Sequence, residues 1–228
     1  MALLVLVRHG ESTANLANVF TGWLNVALSP KGEQEALMAA EKLRGFHFDA
    51  AYSSDLLRAE RTLDLIVARP AWATIPVHHV GALRERMYGD LQGLNKTETA
   101  LKYGQAQIDE WRRSYAVAPP GGESLRQTQA RVVKFYEAEI EPQLRTGRDI
   151  LIVSHGNTLR ALRMHLEQLS PQQVESLEIV TGAVCVYHID AQLKILERRT
   201  LSVPFRLNGT RASEATPPGN TAATNSVK

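Results

Sequence analysis

The 228-residue chain holds a single cysteine, Cys185, so neither an intrachain disulfide nor a cysteine-rich metal site can form. Neither His-x-His nor His-Glu-x-x-His spacing occurs, which leaves no pattern for a metal, and no Gly-x-Gly-x-x-Gly marks a dinucleotide site. Basic runs are missing too. Lys and Arg number 26 against 24 Asp and Glu, a balance that argues against a nucleic-acid partner. The first apolar run, Ala2 to Val7, is far too short to span a bilayer and has no basic region before it. The sequence is therefore read as having neither a signal peptide nor a membrane partner, with the cytoplasm as its expected compartment. With 44% hydrophobic and 22% charged residues, disorder throughout, collagen-like and coiled-coil builds are all excluded.

What remains alternates short β-branched runs with helical patterns, which favours an α/β fold: a mostly parallel sheet with helices on both faces. Leu3 to Val7 and Ile150 to Ser154 read as buried strands, and Asp49 to Ser53 as another. Ile75 to Val80 is expected at an edge, or starting after Pro76, because proline cannot donate to a ladder. Ser29 and Pro30 should open one helix, and Ser124 with Gln127 another through a capping box. Pro142 is expected to bend or end the latter. Leu159 to Leu169 reads as a further helix, and Val184–Ile189 with Leu193–Arg198 as a hairpin around Asp190 and Ala191. Residues 1–207 form one expected catalytic domain. The Ala/Thr/Ser/Asn/Pro tail over 208–228 is too poor in large apolar residues to offset its ordering entropy, so disorder is expected there.

Two segments share one pattern: Leu6-Val-Arg-His-Gly-Glu-Ser12 and Ile152-Val-Ser-His-Gly-Asn-Thr158. Each places a histidine at the carboxyl end of a strand, where open α/β sheets bind ligands, and each follows it with a glycine that permits a sharp turn. His9 and His155 can thus face one another across a pocket. Arg8 and Arg58 fall at the same end, beside helix N-termini. Two imidazoles and two guanidiniums suit a dianionic phosphoryl group, and an imidazole nitrogen is a competent nucleophile for phosphorus. The remaining histidines, His47, His78, His79, His165 and His188, match no pattern and read as surface or core residues.

Arg8-His9-Gly10-Glu11 with the later His155-Gly156 resembles the histidine phosphatase superfamily. Further segments narrow the resemblance to its cofactor-dependent phosphoglycerate mutases: Phe20-Thr21-Gly22-Trp23, Glu85-Arg86-Met87-Tyr88-Gly89, Leu91-Gln-Gly-Leu-Asn-Lys96 and Trp111-Arg112-Arg113. The similarity runs from the first strand to about Leu196. It implies the superfamily's fold and an isomerase that interconverts 3- and 2-phosphoglycerate, primed by 2,3-bisphosphoglycerate and needing no metal. It implies His9 as nucleophile, His155 as stabiliser of the pentacoordinate transition state, and Arg8, Arg58 and Asn15 as phosphate clamps. Glu85 would be the general acid and base. Thr21, Gly22, Arg86, Tyr88, Lys96, Arg112, Arg113, Gly156 and Asn157 would hold the rest of a small phosphorylated three-carbon acid. A homodimer or homotetramer is the assembly such a resemblance implies.

Three positions depart from the family pattern. Ala14 stands where a tryptophan is usual, Arg84 where an asparagine is usual, and Thr181-Gly182-Ala183-Val184 lacks a proline. The first two bear on substrate fit, and the third should loosen the start of the following strand. A phosphatase, in which water takes the phosphoryl group from His9, is the alternative, since Arg-His-Gly serves both reactions.

Overall fold

Continuous apolar runs in a sheet need cover on both faces, and this chain supplies it. The computed structural model describes residues 1–201. It has six strands: β1 (Ala2–Arg8), β2 (Ala50–Ser53), β3 (Val77–His79), β4 (Ile150–Ser154), β5 (Val184–Ile189) and β6 (Ile195–Leu201). Their order is β3-β2-β4-β1-β5-β6. The four strands from β3 to β1 run parallel, while β5 is antiparallel to β1 and β6 to β5. The sheet is thus mostly parallel, as expected. Alternate residues of each strand go to opposite layers. Leu4, Leu6, Ile150 and Ile152 pack with Val132, Tyr136, Leu159 and Leu162 on one face. Val5, Val7, Leu151 and Val153 pack with Ala39, Leu43, Leu63 and Ile66 on the other.

The helices are α1 (Thr13–Leu16), α2 (Pro30–Lys42), α3 (Leu57–Val67), α4 (Lys96–Tyr103), α5 (Gln105–Arg113), α6 (Leu125–Phe135), α7 (Glu141–Arg145), α8 (Gly156–Glu167) and α9 (Pro171–Ser176). Ser29 caps α2, its side chain accepting from the Gly32 amide at 3.1 Å, with Pro30 at the first helical position. Ser124 and Gln127 form the expected capping box of α6. Strand β3 lies at the edge and begins one residue after Pro76.

Three expected boundaries move. Pro142 does not end its helix: a π-helical turn, Tyr136–Ile140, precedes α7 and carries the chain past the proline. The wider turn accommodates a residue that lacks an amide donor and crowds the preceding turn. The β5–β6 connection is longer than Asp190 and Ala191. Asp190 accepts from the amides of Gln192 and Lys194, both at 2.9 Å, and Leu193 adopts φ 66°, so β6 starts at Ile195. Helix α8 begins at Gly156 rather than Leu159, which makes His155 its N-cap. The tail expected to be disordered over 208–228 lies outside the described residues. Among the described residues, no helix is long and apolar enough to cross a membrane.

Candidate active site

Strands β1 and β4 are neighbours in the sheet, with Arg8 opposite Ser154. The residues that follow them, His9 and His155, therefore emerge side by side, and their rings lie 4.9 Å apart. The His9 amide donates to the Ser154 carbonyl at 2.9 Å, locking one strand end to the other. Both imidazoles are buried.

Hydrogen bonds fix the His9 tautomer. Its Nδ1 lies 2.6 Å from the Gly10 carbonyl, an acceptor only, so Nδ1 carries the proton. Nε2 is left with a lone pair, and Arg58 Nε donates to it at 3.3 Å. Burial holds the His9 imidazole well below its ordinary pKa, aided by the charges of Arg58 and Arg8. The ring is neutral at neutral pH, as a nucleophile must be. Burial likewise lowers His155, with Arg58 and His9 adding to the effect. Its Nε2 meets Ser54 Oγ at 2.6 Å, and its buried Nδ1 has no partner among the described residues.

Gly10 is required by close packing. A Cβ there would lie 2.1 Å from the Gly32 carbonyl oxygen, at the start of α2. Arg58, in the first turn of α3, reaches across the site and donates to the carbonyls of Gly22 at 2.8 Å and Leu24 at 2.9 Å. It is almost wholly buried and forms no ion pair among the described residues, and burial lowers it to about 10 against the opposing charge of Glu85. Burial also lowers Arg8, whose Nη1 donates to the Ile179 carbonyl at 2.5 Å while its buried Nε has no partner among the described residues. Such a concentration of desolvated positive charge is a demand for an anion.

The pocket above these groups has a volume of about 740 Å³, its open mouth included. Arg8, His9, Asn15, Thr21, Gly22, Arg58, Glu85, Tyr88, Lys96, Arg112, Arg113, Gly156 and Asn157 all line it. His155 lies beneath, against His9. Glu85 is held from both sides, its Oε1 accepting from the Arg86 amide at 2.8 Å and the Asn157 amide at 3.1 Å. The second of these comes from the first turn of α8, whose N-terminal dipole favours negative charge. Asn15 commits its amide oxygen to Ser12, leaving Nδ2 for a ligand. Lys96 is half-buried, and burial together with Arg112 lowers its pKa.

One residue expected at the ligand lies outside the pocket lining. Arg86 is fully buried and does not line the pocket. Its Nη2 donates to Tyr88 Oη and to the carbonyls of Trp111 and Arg112, at 3.0, 2.7 and 2.8 Å. Its place between two segments of the backbone makes it a support for pocket residues. The unusual Arg84 also stays outside the lining: it pairs with Asp55 at 2.6 and 2.5 Å and lies over the Trp23 ring. Ala14 is likewise absent from the lining. Nor does the missing proline free the start of β5, because the Arg8 amide donates to the Ala183 carbonyl at 3.1 Å and pins it.

Sequence reasoning missed Ser54, Arg160 and Glu178. Glu178 lines the pocket and forms an ion pair with Arg113. Nothing in its local sequence marks it. Arg160 follows Asn157 by three residues on α8, a spacing that places both on one helix face and was the available signal.

A mostly parallel sheet that presents paired neutral and buried imidazoles among arginines, at adjacent strand ends, defines a phosphohistidine-type site. The family model of the histidine phosphatase superfamily (branch 1) matches residues 4–201, and the chain belongs to that superfamily. Within it, the chain is 50% identical over 204 residues to the 2,3-bisphosphoglycerate-dependent phosphoglycerate mutase of Cytophaga hutchinsonii, covering 90% of this chain and 95% of that protein. It is 44% identical over 229 residues to the protein of the same name from Treponema pallidum, covering 87% and 91%. Among solved structures, mycobacterial glucosyl-3-phosphoglycerate phosphatase in complex with VO3 superposes with a TM-score of 0.72 at 29% identity, covering 87% of this chain and 96% of that one.

Proposed function

We propose that this protein interconverts 3-phosphoglycerate and 2-phosphoglycerate through a phosphohistidine at His9, primed by 2,3-bisphosphoglycerate. The observation that carries this reading is the two-ended distribution of cations. Arg8 and Arg58 gather at His9, while Lys96, Arg112 and Arg113 line the same pocket from α4 and α5. A single phosphate needs only the first group. A ligand with a phosphate at one end and a second phosphate or carboxylate at the other uses both. The unpartnered Arg8 Nε beside His9 fits a phosphate oxygen, so the residues present suit the bisphosphorylated acid.

In the transfer, His9 Nε2 forms a bond to phosphorus as the bond from phosphorus to the sugar-acid oxygen breaks. Positive charge develops on the ring, and the Gly10 carbonyl facing Nδ1–H stabilises it. Arg8 and Arg58 neutralise the equatorial oxygens, and His155, against the His9 ring, supports the same group. Glu85 gives its proton to the departing oxygen. As a carboxylate it then takes the proton of the free 2-hydroxyl of an incoming 3-phosphoglycerate, whose oxygen attacks phosphorus as the bond from phosphorus to His9 Nε2 breaks, which remakes the bisphosphorylated acid. The distal cations retain the ligand while it reorients and keep water from replacing it.

The likeness to a solved phosphatase supports a second reading, hydrolysis of the phosphohistidine by water. Incubation with 3-phosphoglycerate, with and without catalytic 2,3-bisphosphoglycerate, decides between them when both 2-phosphoglycerate and free phosphate are followed. The mutase gives bisphosphate-dependent 2-phosphoglycerate with little phosphate. Phosphate released faster than 2-phosphoglycerate forms would establish the phosphatase instead.

A further inference from the structure

Arg160 is 4% exposed, has no carboxylate partner among the described residues, and lines the pocket together with two of the residues it contacts, Asn157 and Arg113. Its Nη1 donates to Asn157 Oδ1 at 2.9 Å. Its Nε and Nη2 donate to the Val174 carbonyl at 3.0 and 2.6 Å, and Nη2 also reaches the carbonyls of Glu175, at 3.2 Å, and Arg113, at 3.4 Å. One guanidinium thus ties together α8, the C-terminal half of α9 and the C-terminal end of α5. The last carbonyls of a helix carry partial negative charge and lack partners within the helix, so a buried cation is a favourable cap for them. Arg86 caps the same end of α5 from the other side, through Trp111 and Arg112.

This geometry has two consequences for the ligand. An amide oxygen held by Arg160 forces the Asn157 amide to present its nitrogen on the other side, where Nδ2 donates to Tyr88 Oη at 3.3 Å. A carbonyl held at Arg113 sets the backbone from which the Arg113 side chain enters the pocket. Four of the five guanidinium N–H groups are committed to carbonyl and amide oxygens, which leaves one on Nη1.

We infer that Arg160 is a positioning residue that fixes Asn157 and Arg113, and through them grips the end of the substrate remote from His9. The inference rests on the function proposed above. It differs from a general structural role in acting on one end of the ligand only. Orthovanadate, a compact mimic of the transferring phosphoryl group, serves as the probe of the His9 end.

The test compares equilibrium binding of 2-phosphoglycerate and of orthovanadate, by calorimetry, in the unmodified protein, Arg160→Met and Arg160→Lys. Lysine keeps the charge but cannot span three acceptors, so both variants should lose about tenfold or more in 2-phosphoglycerate affinity, with vanadate affinity within about twofold. In a background of Asn157→Ala with Arg113→Ala, adding Arg160→Met should change 2-phosphoglycerate binding less than twofold. Equal losses for both ligands, or a full additional loss in that background, would overturn the assignment. If Arg160→Met fails to fold, Arg160→Lys carries the same comparison. Isomerisation by the unmodified protein is scored separately: its absence sinks the proposed function, whereas the binding pattern alone decides the role of Arg160.

Discussion

The wall of the pocket that carries His9 and His155 grows from two central strands, whereas the wall that carries Lys96, Arg112 and Arg113 rests on two short helices outside the sheet. The first wall is backed by core on both faces, with Leu6, Val7, Ile152 and Val153 immediately behind the histidines and at most 2% exposed. The second depends on a much smaller cluster, Phe20, Leu91 and Ile108, with Tyr88, Ala100 and Trp111 packed against it. Helices α4 and α5 meet at Gly104, whose φ of 85° suits glycine, and Leu101 is 86% exposed. The step that makes and breaks bonds to phosphorus tolerates little displacement, and it sits where displacement is most expensive. Recognition of the rest of the ligand is placed on elements that can open locally at lower free energy.

The sharpest test of this contrast is His9→Ala, which removes the nucleophile while the distal cations remain. Isomerisation should fall by at least about 10⁴-fold. Phosphoryl label from 2,3-bisphosphoglycerate, acid-labile in the unmodified protein, should disappear. Label that survives the substitution, or that resists acid, would move the chemistry away from this wall. Next in size is Glu85→Gln, which keeps the hydrogen bonds but removes the exchangeable proton. The rate should drop about 10²–10⁴-fold, with labelling of His9 still detectable on longer incubation. If the rate is unchanged, Glu85 is only a structural acceptor for the amides of Arg86 and Asn157.

Arg112→Ala probes the outer wall and should behave differently. KM for 3-phosphoglycerate should rise about 10- to 100-fold, equivalent to about 1.4–2.8 kcal/mol of lost binding, and free phosphate should appear as ligand escapes from the phosphorylated enzyme. A fall in kcat at constant KM would erase the division of labour between the two walls.

The smallest effect concerns acid stability. His9 and His155 have pKa values lowered in the folded state, so below about pH 6.5 the unfolded chain binds more protons than the folded one. Their contribution to stability is therefore complete above the unfolded-state pKa and declines as pH falls below it, by up to about 1.4 kcal/mol per pH unit for each histidine. Denaturant unfolding of His155→Asn between pH 7 and pH 5 should show a shallower decline than the unmodified protein. Equal slopes would mean that His155 is charged in the native state.

The inner wall was largely legible in the sequence because its determinants are local. An apolar run, a histidine and a glycine specify a strand end, and the repetition of that pattern at residues 9 and 155 joined two distant segments. Caps were legible for the same reason, since Ser29 and Ser124 act within three residues. The outer wall was readable only through family resemblance. Arg112 and Arg113 by themselves resemble any solvated helical face. Arg86 shows the limit: its motif assigned it to the ligand, yet its hydrogen bonds run to carbonyls 25 and 26 residues away. Glu178 owes its place to long-range packing that no local pattern encodes, whereas Arg160 had a local signal in its three-residue spacing from Asn157. Pro142 was expected to bend or end its helix; it does not end it, because a π turn lies just upstream, and that turn leaves no short-range signature.

The pairing of β1 with β4 has a consequence for how this chain tolerates change. Arg8 and Ser154 are partners in one ladder, so the backbone separation of the histidines that follow them is set by inter-strand spacing, about 4.8 Å, while contacts with Gly10, Arg58 and Ser54 hold the rings. Residues can be inserted or deleted in the loops between those strands without altering that separation, provided the ladder register holds. Conversely, a one-residue slip of β4 would turn His155 to the opposite face and disable the pair with every side chain intact. Loop grafting should therefore remodel which ligands this scaffold accepts far more readily than it alters phosphoryl transfer.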